Sequence, residues 1–277
     1  MNGGILYSFL KMTAWHMDTP QMFGGFHAAA SIAAVLLAVS AAVIASRRID
    51  TRHITRVLAV TGWVLVILEL YKQLFLFHII NGGAFDWWFF PFQLCSVPMY
   101  LCILLPAVRG RLRGSFLTFM SGYTLISAAA ALIFPEDFLR PYVSLTLHGF
   151  IWHGILLFIS LLIILTGAAG SSSGEIAGAA VLFAVLSAAA VCINTGAEAV
   201  MPGIRAAHPS VAHSWAAMFY MNPYHISPQP VVSAIQKTAG IPAGLVLYAI
   251  VIACAGSLVC RLANRDQSDR PTSSGMR

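Results

Sequence analysis

Along this chain, apolar residues run in blocks of about twenty, separated by short stretches that hold nearly all of the charge. A helix that is apolar all round has no water-facing stripe, so the pattern predicts membrane spans and not the amphipathic helices of a soluble bundle. Seven blocks are long enough, at 22–46, 57–79, 89–108, 114–134, 142–167, 175–195 and 240–260. The expected architecture is an all-α membrane protein with a single seven-helix domain over 22–262. It is preceded by an interfacial segment (1–21), interrupted by one long loop (196–239) and followed by a flexible tail (263–277). The first twenty residues lack the basic start, apolar centre and small-residue cleavage site of a signal peptide.

Orientation follows from the loops. One set of connections holds Arg47, Arg48, Arg52, Arg56, Arg109, Arg111, Arg113, Arg261, Arg265, Arg270 and Arg277, and the opposite set holds only Lys11, Arg140, Arg205 and Lys237. Under the positive-inside rule the first set is cytoplasmic, which puts the N-terminus outside and the C-terminus in the cytoplasm of a multi-pass cell-membrane protein. Composition agrees: 58% of residues are hydrophobic and 9% charged, against about 25% charged in soluble domains. The net charge of +6 is accounted for by the inner-leaflet bias, so no nucleic-acid partner is expected. The five cysteines show neither framework spacing nor CxxC, and a disulfide or zinc site is not expected.

Polar groups inside the spans carry the candidate chemistry, because an unpaired amide in hydrocarbon costs roughly 2–7 kcal/mol. Span 1 holds His27. Span 2 holds Glu69 and Lys72, which share one helical face with Gln73. Span 3 holds Gln93 and Cys95, with Pro98 expected to kink the helix and free the Leu94 carbonyl. Span 5 holds His148 and His153, whose separation of five residues is about 140° of rotation, so that a regular helix aims at most one of them at a tight centre. Counted at 1.5 Å per residue from the outer boundary, all of these lie roughly 6–16 Å deep, in the outer half of the bilayer. The long outer loop, with His208, His213 and His225, contains SWAAMFYMNPY, which could lie in the interface or re-enter as a lid. The spacing of its histidines fits no familiar metal-ligand pattern, and neither a metal nor another cofactor is expected.

These contents suit nucleophilic chemistry, in which a thiol attacks, an imidazole takes its proton and a carboxylate orients the ring. They suit equally a non-catalytic lipid or small-solute binding protein, or a transporter, in which Glu69 and Lys72 carry the coupling. A retinal protein is excluded, because the last span has no lysine.

The order of Glu69, WWFFPFQLCSVPMYL, GYTLISAAAALIFP and HGFIWHGILLF resembles the YwaF-type family of small polytopic membrane proteins, over about residues 22–160 and most specifically at Pro91 to Cys95. That family includes an animal transmembrane acyltransferase that moves polyunsaturated acyl chains onto ether phospholipids. The resemblance implies a Cys/His acyltransferase with Cys95 as acyl-accepting nucleophile, His153 as its preferred partner and membrane lipid as substrate. With Glu69 as the third catalytic residue, this leaves Gln93, Lys72, His27 and His148 as expected substrate contacts. The family commonly has Leu-His-Leu-Cys where this chain has Phe92-Gln93-Leu94-Cys95, so an amide stands here in place of a ring able to transfer a proton.

Overall fold

The computed structural model describes residues 4–49, 53–169 and 172–268. Among these residues the protein is helical, and the sole bridge between extended segments pairs His16 with Tyr142. Six helices are long and apolar enough to cross a membrane, at Gly25–Arg48, Ile54–Ile80, Gly110–Ile133, Val143–Thr166, Ser173–Ala207 and Ile241–Ala263. In chain order the α-helices are α1 (Ile5–Met12), α2 (Gly25–Arg48), α3 (Ile54–Phe75), α4 (Val97–Leu104), α5 (Gly110–Ile133), α6 (Val143–Thr166), α7 (Ser173–Ala207), α8 (Pro230–Ala239) and α9 (Ile241–Ser268). The tail beyond Ser268 and the centre of the 167–172 connection lie outside the described residues.

The block expected to span at 89–108 is not a single helix. A 3-10 turn at Trp87–Phe89 gives way to an irregular stretch, and only Val97–Leu104 is α-helical before a second 3-10 turn at Leu105–Ala107. Proline explains the break. Phe90 precedes Pro91 and takes the extended values φ −53°, ψ 133°, because the pyrrolidine ring disfavours a helical residue before it. Pro98 then falls in the first turn of α4, where its missing N–H costs nothing, so it starts a helix and does not kink one. The segment runs antiparallel to α3: Gln73 meets Phe89, Gly62 meets Cys102, and Arg113 reaches Thr55 at 3.0 Å.

The other departure lies in α7. Its 35 residues extend to Ala207, past the expected end at 195 and through Pro202. At 1.5 Å per residue the helix is about 52 Å long, well beyond the ~30 Å of a hydrocarbon core. Ser172 and Glu175 form a capping box at its start. The loop expected from 196 is therefore shorter, and it includes the short helix α8.

Helix α5 is the hub, packing on α6, α7 and α9. Small residues set these distances. A Cβ on Gly122 would sit 2.4 Å from Cys260 Sγ and 2.8 Å from the Gly256 carbonyl, while one on Gly256 would meet the Tyr123 ring at 2.5 Å. Without a hydrophobic driving force between helices in lipid, close backbone contact of this kind holds them together. The face of α2 away from α6 exposes Ile32, Leu36, Leu37 and Ile44.

Candidate functional site

The irregular stretch at 90–96 leaves room among α3, α5, α6 and α9, and two connections complete the walls: the loop at 134–142 and the long loop after α7. Part of the long loop folds back into the bundle. Ala216, Ala217, Met218, Phe219, Met221 and Asn222 are all buried. The centre of the SWAAMFYMNPY stretch is thus packed inside the protein.

Backbone that is neither helix nor sheet needs partners when it is buried away from water. Side-chain amides supply them. Asn194 of α7 donates to the Met218 carbonyl (3.1 Å) and accepts from the Met218 N–H (2.7 Å). Gln93 donates to the Ala217 carbonyl (3.1 Å) and accepts from the Phe219 N–H (2.9 Å). Asn222 donates to the Ala216 carbonyl and accepts from the N–H groups of Tyr224 and His225. At the end of this clamped turn, Phe219 and Tyr220 adopt left-handed backbone at φ 54° and 58°, at about 1–2 kcal/mol each.

The resulting cavity, of about 270 Å³, is bordered by Cys95, Gln93, Lys72, His148 and His153 among others. Cys95 is half-buried, directly before the Ser96 that caps α4. Its main-chain carbonyl accepts from Trp152 Nε1 at 3.1 Å, which ties the irregular stretch to α6 between the two histidines. His153 Nδ1 lies 2.7 Å from the Gly149 carbonyl. A carbonyl only accepts, so Nδ1 carries the proton and Nε2 the lone pair. Phe138 stacks on this ring at 5.0 Å, and it can do so because Gly149 offers no Cβ in its path.

By the same reasoning His148, whose Nε2 lies 3.0 Å from the Leu68 carbonyl of α3, carries its lone pair on Nδ1. The two rings have different anchors, as their rotation about α6 requires. Both border the cavity, which reaches from Leu76, just after α3, round to Phe138.

Two predicted residues play other parts. Glu69 orients neither imidazole. Its Oε1 accepts from Lys72 Nζ at 2.9 Å and from Gln73 Nε2 at 2.7 Å, while Oε2 is buried without a hydrogen-bond partner among the described residues. His27 is outside the cavity wall, with both nitrogens engaged: Nδ1 accepts from the Phe23 N–H and Nε2 lies 2.8 Å from the Leu132 carbonyl. It fastens α2 to the end of α5. In the loop, His213 bonds Asp86 and His225 bonds Glu198, and no group of three or more potential metal ligands occurs among the described residues.

The model of the TMEM164 family matches residues 21–253, a range that takes in every residue of the cavity wall. The chain belongs to the TMEM164 family. No curated protein and no solved structure matches it.

Three residues of this TMEM164-family site went unread in the sequence. Tyr220 donates to Asp137 Oδ2 at 2.5 Å, bridging the re-entrant turn and the 134–142 loop. Burial, and then the neighbouring Asp137 carboxylate, hold the Tyr220 phenol well above its ordinary pKa, so it remains a donor. Arg140 borders the cavity from the same loop as Asp137. All three sit in connections, where no apolar run surrounds a polar residue and marks it as unusual.

Proposed function

We propose that the protein is a thiol-dependent lipid acyltransferase or lipid hydrolase of the cell membrane. Its cavity opens toward the outer leaflet. On this reading the chain crosses the bilayer seven times, six times as long helices and once through the broken segment before α5. The loops rich in arginine face the cytoplasm, as the positive-inside rule requires.

One observation carries the reading: Cys95 and His153 border the same cavity, and the His153 bond to Gly149 leaves Nε2 with its lone pair. In the reaction, His153 Nε2 takes the Cys95 proton and the thiolate forms a bond to the carbonyl carbon of an acyl ester. The ester C–O bond then breaks, and the departing alcohol takes the proton back from the imidazolium. A second alcohol, or water, resolves the thioester and restores the thiol. Cys95 stands at the N-terminal end of α4, whose dipole favours the oxyanion of the tetrahedral intermediate. The Gly149 carbonyl fixes the imidazole, the part expected of Glu69. The acyltransferase activity implied by the YwaF-type resemblance fits this scheme.

A non-catalytic lipid-binding protein or transporter is the second reading. It is favoured by the absence, among the described residues, of a hydrogen bond between the Cys95 thiol and either imidazole, although such bonds often tighten only when substrate is bound. Reconstitution with a fluorescent-acyl phosphatidylcholine separates the two. The enzyme reading expects a hydroxylamine-labile acyl group on Cys95 that is absent in Cys95→Ser. Lipid binding without any thioester would support the second reading.

A further inference from the structure

Two cations border the cavity, and they are not equivalent. Lys72 is paired with Glu69 at 2.9 Å. Arg140 forms no ion pair with any carboxylate among the described residues. Its Nε and Nη2 both donate to the main-chain carbonyl of Asp137, at 3.2 and 2.8 Å. The Asp137 carboxylate instead receives the Tyr220 hydroxyl, and Glu136, beside it on the wall, is exposed to solvent.

The guanidinium is also held in place. Its carbon lies 4.8 Å from the centre of the Phe89 ring, a cation–π contact that orients the charge without neutralising it. The Arg140 main chain is pinned at both ends by the buried Thr146 hydroxyl, which accepts from its N–H at 2.9 Å and donates to its carbonyl at 3.0 Å. Burial pulls the guanidinium pKa below its ordinary value, with Asp137 and Asp86 opposing the shift. A half-buried cation fixed by an aromatic face and a neutral carbonyl keeps unused donors in a planar fork, the geometry that matches carboxylate and phosphate.

Cavity size narrows the ligand. At about 270 Å³ the space lies at the lower edge of the ~300–1,000 Å³ typical of small-molecule sites. It is too small for the two acyl chains of a whole phospholipid. One stretch of the wall is apolar, with Ile126, Ala130, Ala131, Phe134 and Ile252.

We infer that Arg140 forms an anion subsite at the cavity mouth, which takes the phosphate or carboxylate of a single-chain amphiphile whose tail lies in the cavity. The inference rests on the reading of the cavity as a lipid pocket, but it does not require catalysis.

The test is direct binding of radiolabelled oleate, 1-oleoyl lysophosphatidate and neutral monoolein to the purified full-length protein at mildly alkaline pH, where both acids are ionised. A charge-assisted hydrogen bond corresponds to roughly tenfold in affinity or more, so the parent should bind both anions at least about tenfold more tightly than monoolein. Arg140→Gln should erase that preference and leave monoolein binding unchanged, which also reports that the variant is folded. Arg140→Lys should keep part of the preference. Competition by inorganic phosphate against lysophosphatidate but not monoolein would assign the subsite to free anions as well as lipid heads, and lack of competition would assign it to lipid heads alone. If Arg140→Gln retains the preference while monoolein binds, the subsite is overturned and the lipid pocket stands. If none of the three amphiphiles binds the parent, the lipid pocket falls and the subsite with it.

Discussion

Gln93 and Phe219 are joined across 126 residues of chain: the glutamine Oε1 accepts the Phe219 N–H at 2.9 Å while its Nε2 holds the carbonyl of Ala217. Gln93 is thus a clamp on the re-entrant turn, and the turn in turn forms a wall of the cavity.

Gln93→Ala leaves one buried N–H and one buried carbonyl without partners, each at a cost of about 1–3 kcal/mol. Asn194→Ala does the same at Met218. Each single variant should lower the melting temperature in detergent. Because both clamps hold one turn, the double variant should lose less than the sum of the two. Strict additivity would mean that the clamps act independently.

The ion pair of Glu69 and Lys72 is mostly buried, with side-chain exposures of 7% and 22%. Lys72→Met strands a buried carboxylate whose Oε2 already lacks a hydrogen-bond partner among the described residues, and breaking such a pair from one side costs about 3–5 kcal/mol. The double change Lys72→Met with Glu69→Gln should be the more stable of the two in a detergent melt. Equal loss in both would show that the contact contributes nothing.

Histidine roles are separable by thiol labelling. Cys102 is fully buried, whereas Cys95 borders the cavity, so a small alkylating reagent should modify Cys95 before Cys102. His153→Ala should slow that modification, and acyl transfer by about 10²–10⁴-fold, more than His148→Ala does. Parent-like labelling in both variants would remove the thiol mechanism.

Stability should fall at high pH through Tyr220. Its folded pKa lies well above the ordinary 10 because of burial and Asp137, so above about pH 10 the unfolded chain releases this proton first and unfolding becomes more favourable as pH rises. Tyr220→Phe should flatten this part of the stability–pH curve. An unchanged curve would mean that the phenol is not the group responsible.

At the centre of the bundle, Gly122→Ala would drive a methyl against the Gly256 carbonyl, which belongs to helix backbone and cannot turn aside. Overpacking of this kind costs about 1–3 kcal/mol. The loss should appear in thermal melts, and Gly256→Ala should lose a similar amount against Tyr123.

Much of the membrane architecture was legible in the sequence because its causes are local. A backbone in hydrocarbon must satisfy its own hydrogen bonds, so an uninterrupted apolar run becomes a helix wherever it occurs, and α2, α3, α5, α6 and α9 begin within a few residues of where the runs predict. The same logic found Gln93, Lys72, Cys95, His148 and His153, since a polar group surrounded by apolar ones needs a partner. What only the tertiary structure decided is which partner each one has. The stretch after Phe90 leaves the helix at Pro91, and a loop more than 120 residues away supplies the hydrogen-bond partners of Gln93. Glu69 turns to Lys72 and Gln73 instead of an imidazole, and His27 closes on the end of α5. Arg140 and Tyr220 reach the cavity from loops whose positions follow from the packing of the helices around them. Hydrogen bonds between distant segments leave no period in the sequence, and here they shape the cavity.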